Sequence, residues 1–248
     1  MKKSYLSLLS AAFTLLTFAS AAQNSDQCED GVSRLTRYEV KQGYQEQFRK
    51  VLSDYVLHSL SNAGNIMSEA YYEREKPSVL WLIERWAGKN ELDKFNDHSP
   101  SEAVRSLAEK ALEKPVKHIY VKDLEPISKK QWRRTANAKD SQLTILLFVD
   151  AKAGTQQTFK NVYHSAMPQF RSEPGVVTYQ LSQLEDNDTQ FVTYEKFRSN
   201  NAFQYHLSFP PIQPVIDYLN TSIKKQPFQD GLHTLIEFTP LTRESEKK

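Results

Sequence analysis

Residues 64–86 read GNIMSEAYYEREKPSVLWLIERW, and residues 175–197 read GVVTYQLSQLEDNDTQFVTYEKF. The second stretch begins 111 residues after the first, so Gly64 pairs with Gly175 and Glu84-Arg85-Trp86 with Glu195-Lys196-Phe197. Each opens on a glycine that ends a helical run and continues as two β-rich runs. The connections, Arg74-Glu75-Lys76-Pro77 and Glu185-Asp186-Asn187-Asp188, have the length and composition of hairpin turns. Upstream the same offset pairs Gly43 with Gly154 and Phe48 with Phe159. A repeat of this length is too long for a solenoid unit and too short for two large domains. It is the size of one small α+β unit, duplicated.

Working outward, Ser33 to Lys41 has strand character, and Gly43 turns the chain into a helix. Phe48, Val51, Leu52, Tyr55, Val56, Ser59 and Leu60 fall on one face of its 3.6-residue period. Gly64 is expected to end this helix in a left-handed conformation. After the hairpin, helix resumes from Asn90, is interrupted at Pro100, and continues through Ala103, Leu107, Ala108 and Ala111 to a closing strand, Val116 to Leu124. The second repeat has the same order. Leu143 to Val149 is a nearly continuous apolar strand, Thr158 to Phe170 a helix, and Asn201 to Leu207 with Ile212 to Ile223 a broken helix around Pro210-Pro211. Leu232 to Phe238 closes the unit. Strand–helix–strand–strand–helix–strand is the ferredoxin-like order, whose helices cover one sheet face and leave the other to be buried. The second copy is the expected partner, two sheets packing face to face around a barrel-like interior. Repeat one spans 33–126 and repeat two 142–241, with a polar tail at 242–248. The linker at 127–141 reads as solvated, its Lys129-Lys130 and Arg133-Arg134 cluster included.

Lys2 and Lys3, the apolar run from Leu6 to Phe18, and Ser20-Ala21-Ala22 read as a cleavable secretory signal over residues 1–22. The expected location is periplasmic or secreted. Cys28 is the only cysteine, which rules out an internal disulfide framework and multi-thiolate zinc or iron–sulfur sites. A net charge of +2 gives no electrostatic case for nucleic acid. No His-Glu-x-x-His or similar pattern predicts a metal site, and no phosphate-cradling glycine loop is present.

Both repeats resemble the antibiotic biosynthesis monooxygenase domain, of the dimeric α+β barrel group that includes quinol monooxygenases. The resemblance rests on the helix-ending glycine before a strand (Asn62-Ala63-Gly64-Asn65-Ile66 and Glu173-Pro174-Gly175-Val176) and on the strand ending Glu-x-aromatic. His206 follows Glu195 by eleven residues. Repeat one departs from this pattern, with Phe95 at the position equivalent to His206 and His98 three residues later. The resemblance implies an intrachain version of the dimeric barrel, one chain serving as a pseudo-dimer. It also implies oxidation of an electron-rich aromatic, such as a quinol, by O2 without metal, flavin or other cofactor.

Such chemistry needs a base to take the phenolic proton, a desolvated aromatic cavity, and donors for developing negative charge. His206 is the expected base, with Glu195 to orient it or accept a hydroxyl, and Tyr194 to donate a hydrogen bond. Phe197, Phe191, Glu84, Trp86 and the displaced His98 are the expected substrate contacts. On a period-two strand Glu84 shares a face with Leu80, Leu82 and Trp86, and Glu195 with Phe191, Thr193 and Phe197. Which face meets the helices is left open. His58, His164, His118 and His233 are the less promising histidines. Two alternatives stand beside this reading. One is a non-catalytic module that binds a small hydrophobic ligand, favoured by the missing histidine of repeat one. The other is haem degradation, for which related proteins bring an Asn from the first strand; neither Arg34 to Tyr38 nor Gln142 to Leu146 contains one.

Overall fold

The computed structural model describes residues 31–134 and 139–240; the leader at 1–22, Cys28 and the tail at 242–248 lie outside these residues. Eight strands form one closed antiparallel barrel: β1 (Val32–Glu39), β2 (Asn65–Glu73), β3 (Val79–Trp86), β4 (Lys117–Leu124), β5 (Leu143–Asp150), β6 (Val176–Leu184), β7 (Gln190–Phe197) and β8 (Leu232–Thr239). The helices are α1 (Gln45–Ser61), α2 (Lys89–Asn96), α3 (Ser99–Ala111), α4 (Lys129–Trp132), α5 (Gln156–Ser172), α6 (Asn200–Ser208) and α7 (Gln213–Thr221). Around the barrel the order is β1-β3-β2-β8-β5-β7-β6-β4. Each repeat supplies a ferredoxin-like sheet, and the two sheets join at both edges, β2 to β8 and β4 to β6. The sheets therefore do more than face one another: each satisfies the other's edge hydrogen bonds.

The 111-residue offset holds element by element as far as α6. It also relates the small bridges Val40 to Leu112 and Ala151 to Ile223. It breaks only at the closing strand. Leu35 faces Ile119 on β4, whereas its counterpart Leu146 faces His233 on β8, an offset of 114 and hence three extra residues after Ile223. Each β2-type strand carries a bulge at the same place, after Asn65 and after Val176.

Three expectations need correction. Gly64 and Gly175 do not have positive φ; that conformation belongs to Gly43 (+88°) and Gly154 (+86°) in the turns before α1 and α5. Gly64 and Gly175 are needed for space, since a Cβ would lie 2.5 Å from Glu91 Cγ or 2.3 Å from Ala202 Cβ. Pro100 does not interrupt a helix. It sits in the first turn of α3, where its missing N–H removes no helical bond, and the break falls at Asp97-His98. Nor is the linker wholly solvated. Ser128 and Gln131 form a capping box around α4, and Trp132 is buried, with the Arg85 guanidinium 3.8 Å above its ring. Arg133 donates to the carbonyls of Leu60, Asn65 and Ile66. Charge patterning hid one tryptophan anchor in a basic run.

The pleat sorts β3 and β7 into two faces. Leu80, Leu82 and Trp86 lie under the helices of repeat one, and Phe191 and Phe197 under those of repeat two. Trp81, Ile83, Val192 and Tyr194 point into the barrel. At the end where β1 and β5 begin, the interior is polar but paired. Arg85 binds Asp123 at 2.8 and 3.0 Å, and Lys196 lies 2.6 Å from Glu237 and 3.1 Å from Glu69. Trp132 closes this end. The opposite end holds a cavity of about 780 Å³.

Candidate functional site

Under the helices of repeat two, polar groups gather in an aromatic enclosure. Glu173, which caps the C-terminus of α5, places Oε1 2.7 Å from Nδ1 of His206 in the last turn of α6. His206 is 1 % exposed, with Phe170, Phe197 and Tyr179 ring centroids at 4.7, 5.3 and 5.4 Å from its own. Tyr179 also donates to Glu195 Oε1 at 2.9 Å, and Thr193 donates to the same oxygen at 2.7 Å. Tyr163 hydrogen-bonds Tyr179 from behind.

Electrostatics in this enclosure are set by burial. Glu195 is pushed up to about 7 by desolvation, which its hydrogen bonds from Thr193 and Tyr179 only partly oppose. Glu173 is likewise pushed up to about 7, by burial and then by the nearby Glu195 charge. His206 is pushed down to about 4 by burial. All three shifts oppose isolated charge, so the Glu173–His206 pair holds one proton between its partners. Glu195, on the tyrosine hydroxyls, and Glu173, on His206, thus both titrate near neutrality, where a carboxyl is able to accept and release a proton.

Repeat one has the same carboxylate and different chemistry. Glu84 is bound by Arg34 at 2.7 and 3.2 Å, by the Tyr55 hydroxyl at 2.8 Å and by the Trp86 indole at 3.1 Å. Phe95 occupies the place of His206, 5.0 Å from Trp86 and 5.2 Å from Tyr55. The counterpart of Arg34 in repeat two is Ile145, so Glu195 has no guanidinium there.

Not every expected site residue converges. Glu195, Phe197 and His206 come together. Tyr194 does not: it lies on the opposite pleat, inside the barrel, donating to Glu69 at 2.6 Å. Phe191 packs with Phe159 at 4.6 Å, toward the other end of the same strand. Glu84 and Trp86 belong to repeat one, and His98 is an exposed N-cap of α3. Glu173, Tyr163 and Tyr179 were missed. Their signal is that Leu52, Asn62, Ser68 and Phe95 become Tyr163, Glu173, Tyr179 and His206 together, at one offset.

A second cavity, of about 570 Å³, lies beside α3 of repeat one, where Tyr38, Val104, Leu112, Val116 and His118 line it. His206 lines neither this cavity nor the one at the barrel mouth. Among the described residues no group of three His, Cys, Asp or Glu side chains is placed to hold a metal ion.

The profile of the antibiotic biosynthesis monooxygenase family matches residues 31–110 and again 143–216. No curated protein matches the chain. Among solved structures, a candidate monooxygenase from Lactobacillus acidophilus NCFM superposes with a TM-score of 0.70 at 16 % identity, over 84 % of this chain and 94 % of that one. A candidate monooxygenase from Fusobacterium nucleatum gives 0.71 at 13 % identity, over 84 % and 92 %. An anthrone oxidase-like protein gives 0.55 at 9 % identity, over 88 % and 98 %. At these identities the likeness is one of fold.

Proposed function

Because the chain belongs to the antibiotic biosynthesis monooxygenase family, we propose that it is an exported, cofactor-independent monooxygenase that oxidises a quinol or related aromatic with O2 in repeat two. The observation that carries this reading is the buried Glu195 without a cationic partner, beside the Glu173–His206 pair. Ionising that carboxyl costs folding free energy at neutral pH, as expected where a base is kept for chemistry. Export rests on the leader read at residues 1–22.

In this mechanism a quinol hydroxyl gives its proton to Glu195, whose raised pKa brings it closer to that of a phenol. The His206–Glu173 pair relays the proton, and the rings of Phe170, Tyr179 and Phe197 hold the substrate plane. The quinolate then gives an electron to O2, and recombination at a ring carbon inserts one oxygen atom. The other oxygen leaves as water with two substrate hydrogens: quinol plus O2 yields hydroxyquinone plus water. Access requires α6 to lift. His206 is the only residue of α6 that is fully buried, so this short helix is weakly anchored and suited to local opening.

Oxygen uptake by the purified chain with a panel of quinols, without added metal or flavin, tests the proposal. Turnover is expected in the wild type, with a loss of about 100-fold or more in His206→Phe, which places in repeat two the residue that repeat one already has. Undiminished turnover in that variant removes the role of His206. Saturable quinol binding with no oxygen uptake by the wild type assigns the chain to the non-catalytic ligand-binding class instead.

A further inference from the structure

The cavity at the barrel mouth has no place in this chemistry. It opens at the barrel end where β1 and β5 finish, and its volume of about 780 Å³ is within the range of small-molecule sites. Trp81, Ile119, Phe148, Leu184, Phe228 and His233 form much of its wall. Trp81 and Phe148 stack at 5.9 Å with 30° between their planes, and His233 lies 5.7 Å from each.

A carboxylate behind this wall fixes two of its members. Glu73 Oε1 accepts from Trp81 Nε1 at 2.9 Å and lies 3.2 Å from His233 Nδ1. With Nδ1–H directed at Glu73, the neutral imidazole presents Nε2 as an acceptor on its other side. Tautomer and ring angle are therefore set before any ligand arrives.

The fold does not demand this trio. By the repeat offsets, Glu73, Trp81 and His233 have Leu184, Val192 and Ile119 as counterparts. The same barrel closes on its other side with hydrocarbon at those positions. Charge at the rim is mixed: Arg37 is held by Glu39 and lies 3.7 Å from Glu73, Lys225 lies 3.1 Å from Asp230, and the exposed Lys117 shares the lining with Asp150, Glu185 and Asp186. Nothing in that balance favours an anion.

We propose that the barrel mouth is a binding site for a flat, uncharged aromatic ring carrying a hydroxyl group, the ring lying against Trp81, Phe148 and Leu184 and the hydroxyl donating to His233 Nε2. The site is distinct from the enclosure around His206, which lies outside the barrel wall beneath α6. Binding here does not depend on the catalytic reading of repeat two.

Titration calorimetry of the full chain with 2-naphthol and with naphthalene tests this. The wild type should bind 2-naphthol more tightly than naphthalene. His233→Phe should weaken 2-naphthol by about 2- to 12-fold, the value of one hydrogen bond, and abolish that preference. Leu184→Trp, which fills the place of the bound ring, should remove binding of both, with Ile119→Trp as a second filling variant should the first fail to fold by circular dichroism. The part of the binding that filling of the mouth removes should persist in His206→Phe. Undetectable binding to the wild type, an undiminished preference in His233→Phe, or full binding in the filled variants overturns the proposal. So does binding that survives filling of the mouth and is lost in His206→Phe, which places the ligand beneath α6.

Discussion

Replacing Glu195 by Gln should make the protein more stable at pH 8 than the wild type, and most of the gain should be gone by pH 5. Gln keeps the shape of the side chain and an oxygen that can accept from Thr193 and Tyr179, but it cannot ionise. In the unfolded chain the Glu195 carboxyl titrates near 4.5, and in the fold near 7. Because the folded pKa is raised, the folded state binds more protons between these values, and stability falls as pH rises from 4.5 to 7. Each pKa unit is worth about 1.4 kcal/mol, so the full penalty above pH 7 is on the order of 3 kcal/mol. Glu173 contributes with the same sign, while the depressed His206 contributes with the opposite sign as pH falls through 6.5 toward 4. Comparing variant with wild type at each pH cancels most of both. The remainder reinforces the effect, since removing the Glu195 charge also relieves Glu173. Urea unfolding of both proteins at pH 5, 6, 7 and 8 gives the readout, the slope of the difference mattering more than any constant offset. A difference independent of pH, or a wild type that gains on the variant as pH rises, refutes the account; the latter means that Glu195 is stabilised as a carboxylate.

Four further substitutions test packing and buried charge. Gly175→Ala should lower stability by about 1–3 kcal/mol, because the new Cβ meets Ala202 on the facing helix at 2.3 Å. Gly64→Ala should cost a similar amount, because its new Cβ meets Glu91 Cγ at 2.5 Å and Cβ at 2.7 Å, atoms too near the α2 backbone to swing away, and melting temperatures of the pair check this. Trp132→Ala should destabilise by about 3–5 kcal/mol, since it empties the closed end of the barrel and strips the stacked Arg85; a loss below about 1 kcal/mol in urea would show that α4 is not part of the core. Lys196→Met leaves Glu69 and Glu237 facing each other in the interior and should cost about 3–5 kcal/mol at neutral pH. That penalty should shrink in acid as the carboxylates protonate, which melts at pH 4 and pH 7 would detect.

The duplicated ferredoxin-like order was legible because apolar period and turn chemistry are local, and because two copies at one offset confirm each other. Hairpins, first helices and closing strands fall within a few residues of where the pattern put them. Long-range facts were not legible. Whether Glu84 and Glu195 face helices or barrel depends on which side of the pleat the helices cover, and alternation alone is symmetric on that point. Tyr194 illustrates the consequence: one residue from Glu195 in sequence, it lies on the other side of the sheet. The trio of Glu73, Trp81 and His233 comes from β2, β3 and β8, and it exists only because strands of different repeats pair edge to edge. Trp132 was masked by its basic neighbours.

Covalent duplication gives the two carboxylates, 111 residues apart, different fates. In a symmetric dimer of separate chains, every substitution appears at both sites, so a destabilising base would be carried twice. Within one chain Glu84 can be bound by Arg34, Tyr55 and Trp86 and contribute to a settled core. Glu195 faces Ile145 where its twin faces Arg34, and it remains costly to ionise. If position 195 served packing alone, Gln or Leu would satisfy it without the penalty. Holding that penalty to one repeat leaves the other free to stabilise the barrel. The set of differences that imposes it, at 145, 163, 173, 179 and 206, is where chemistry should be sought.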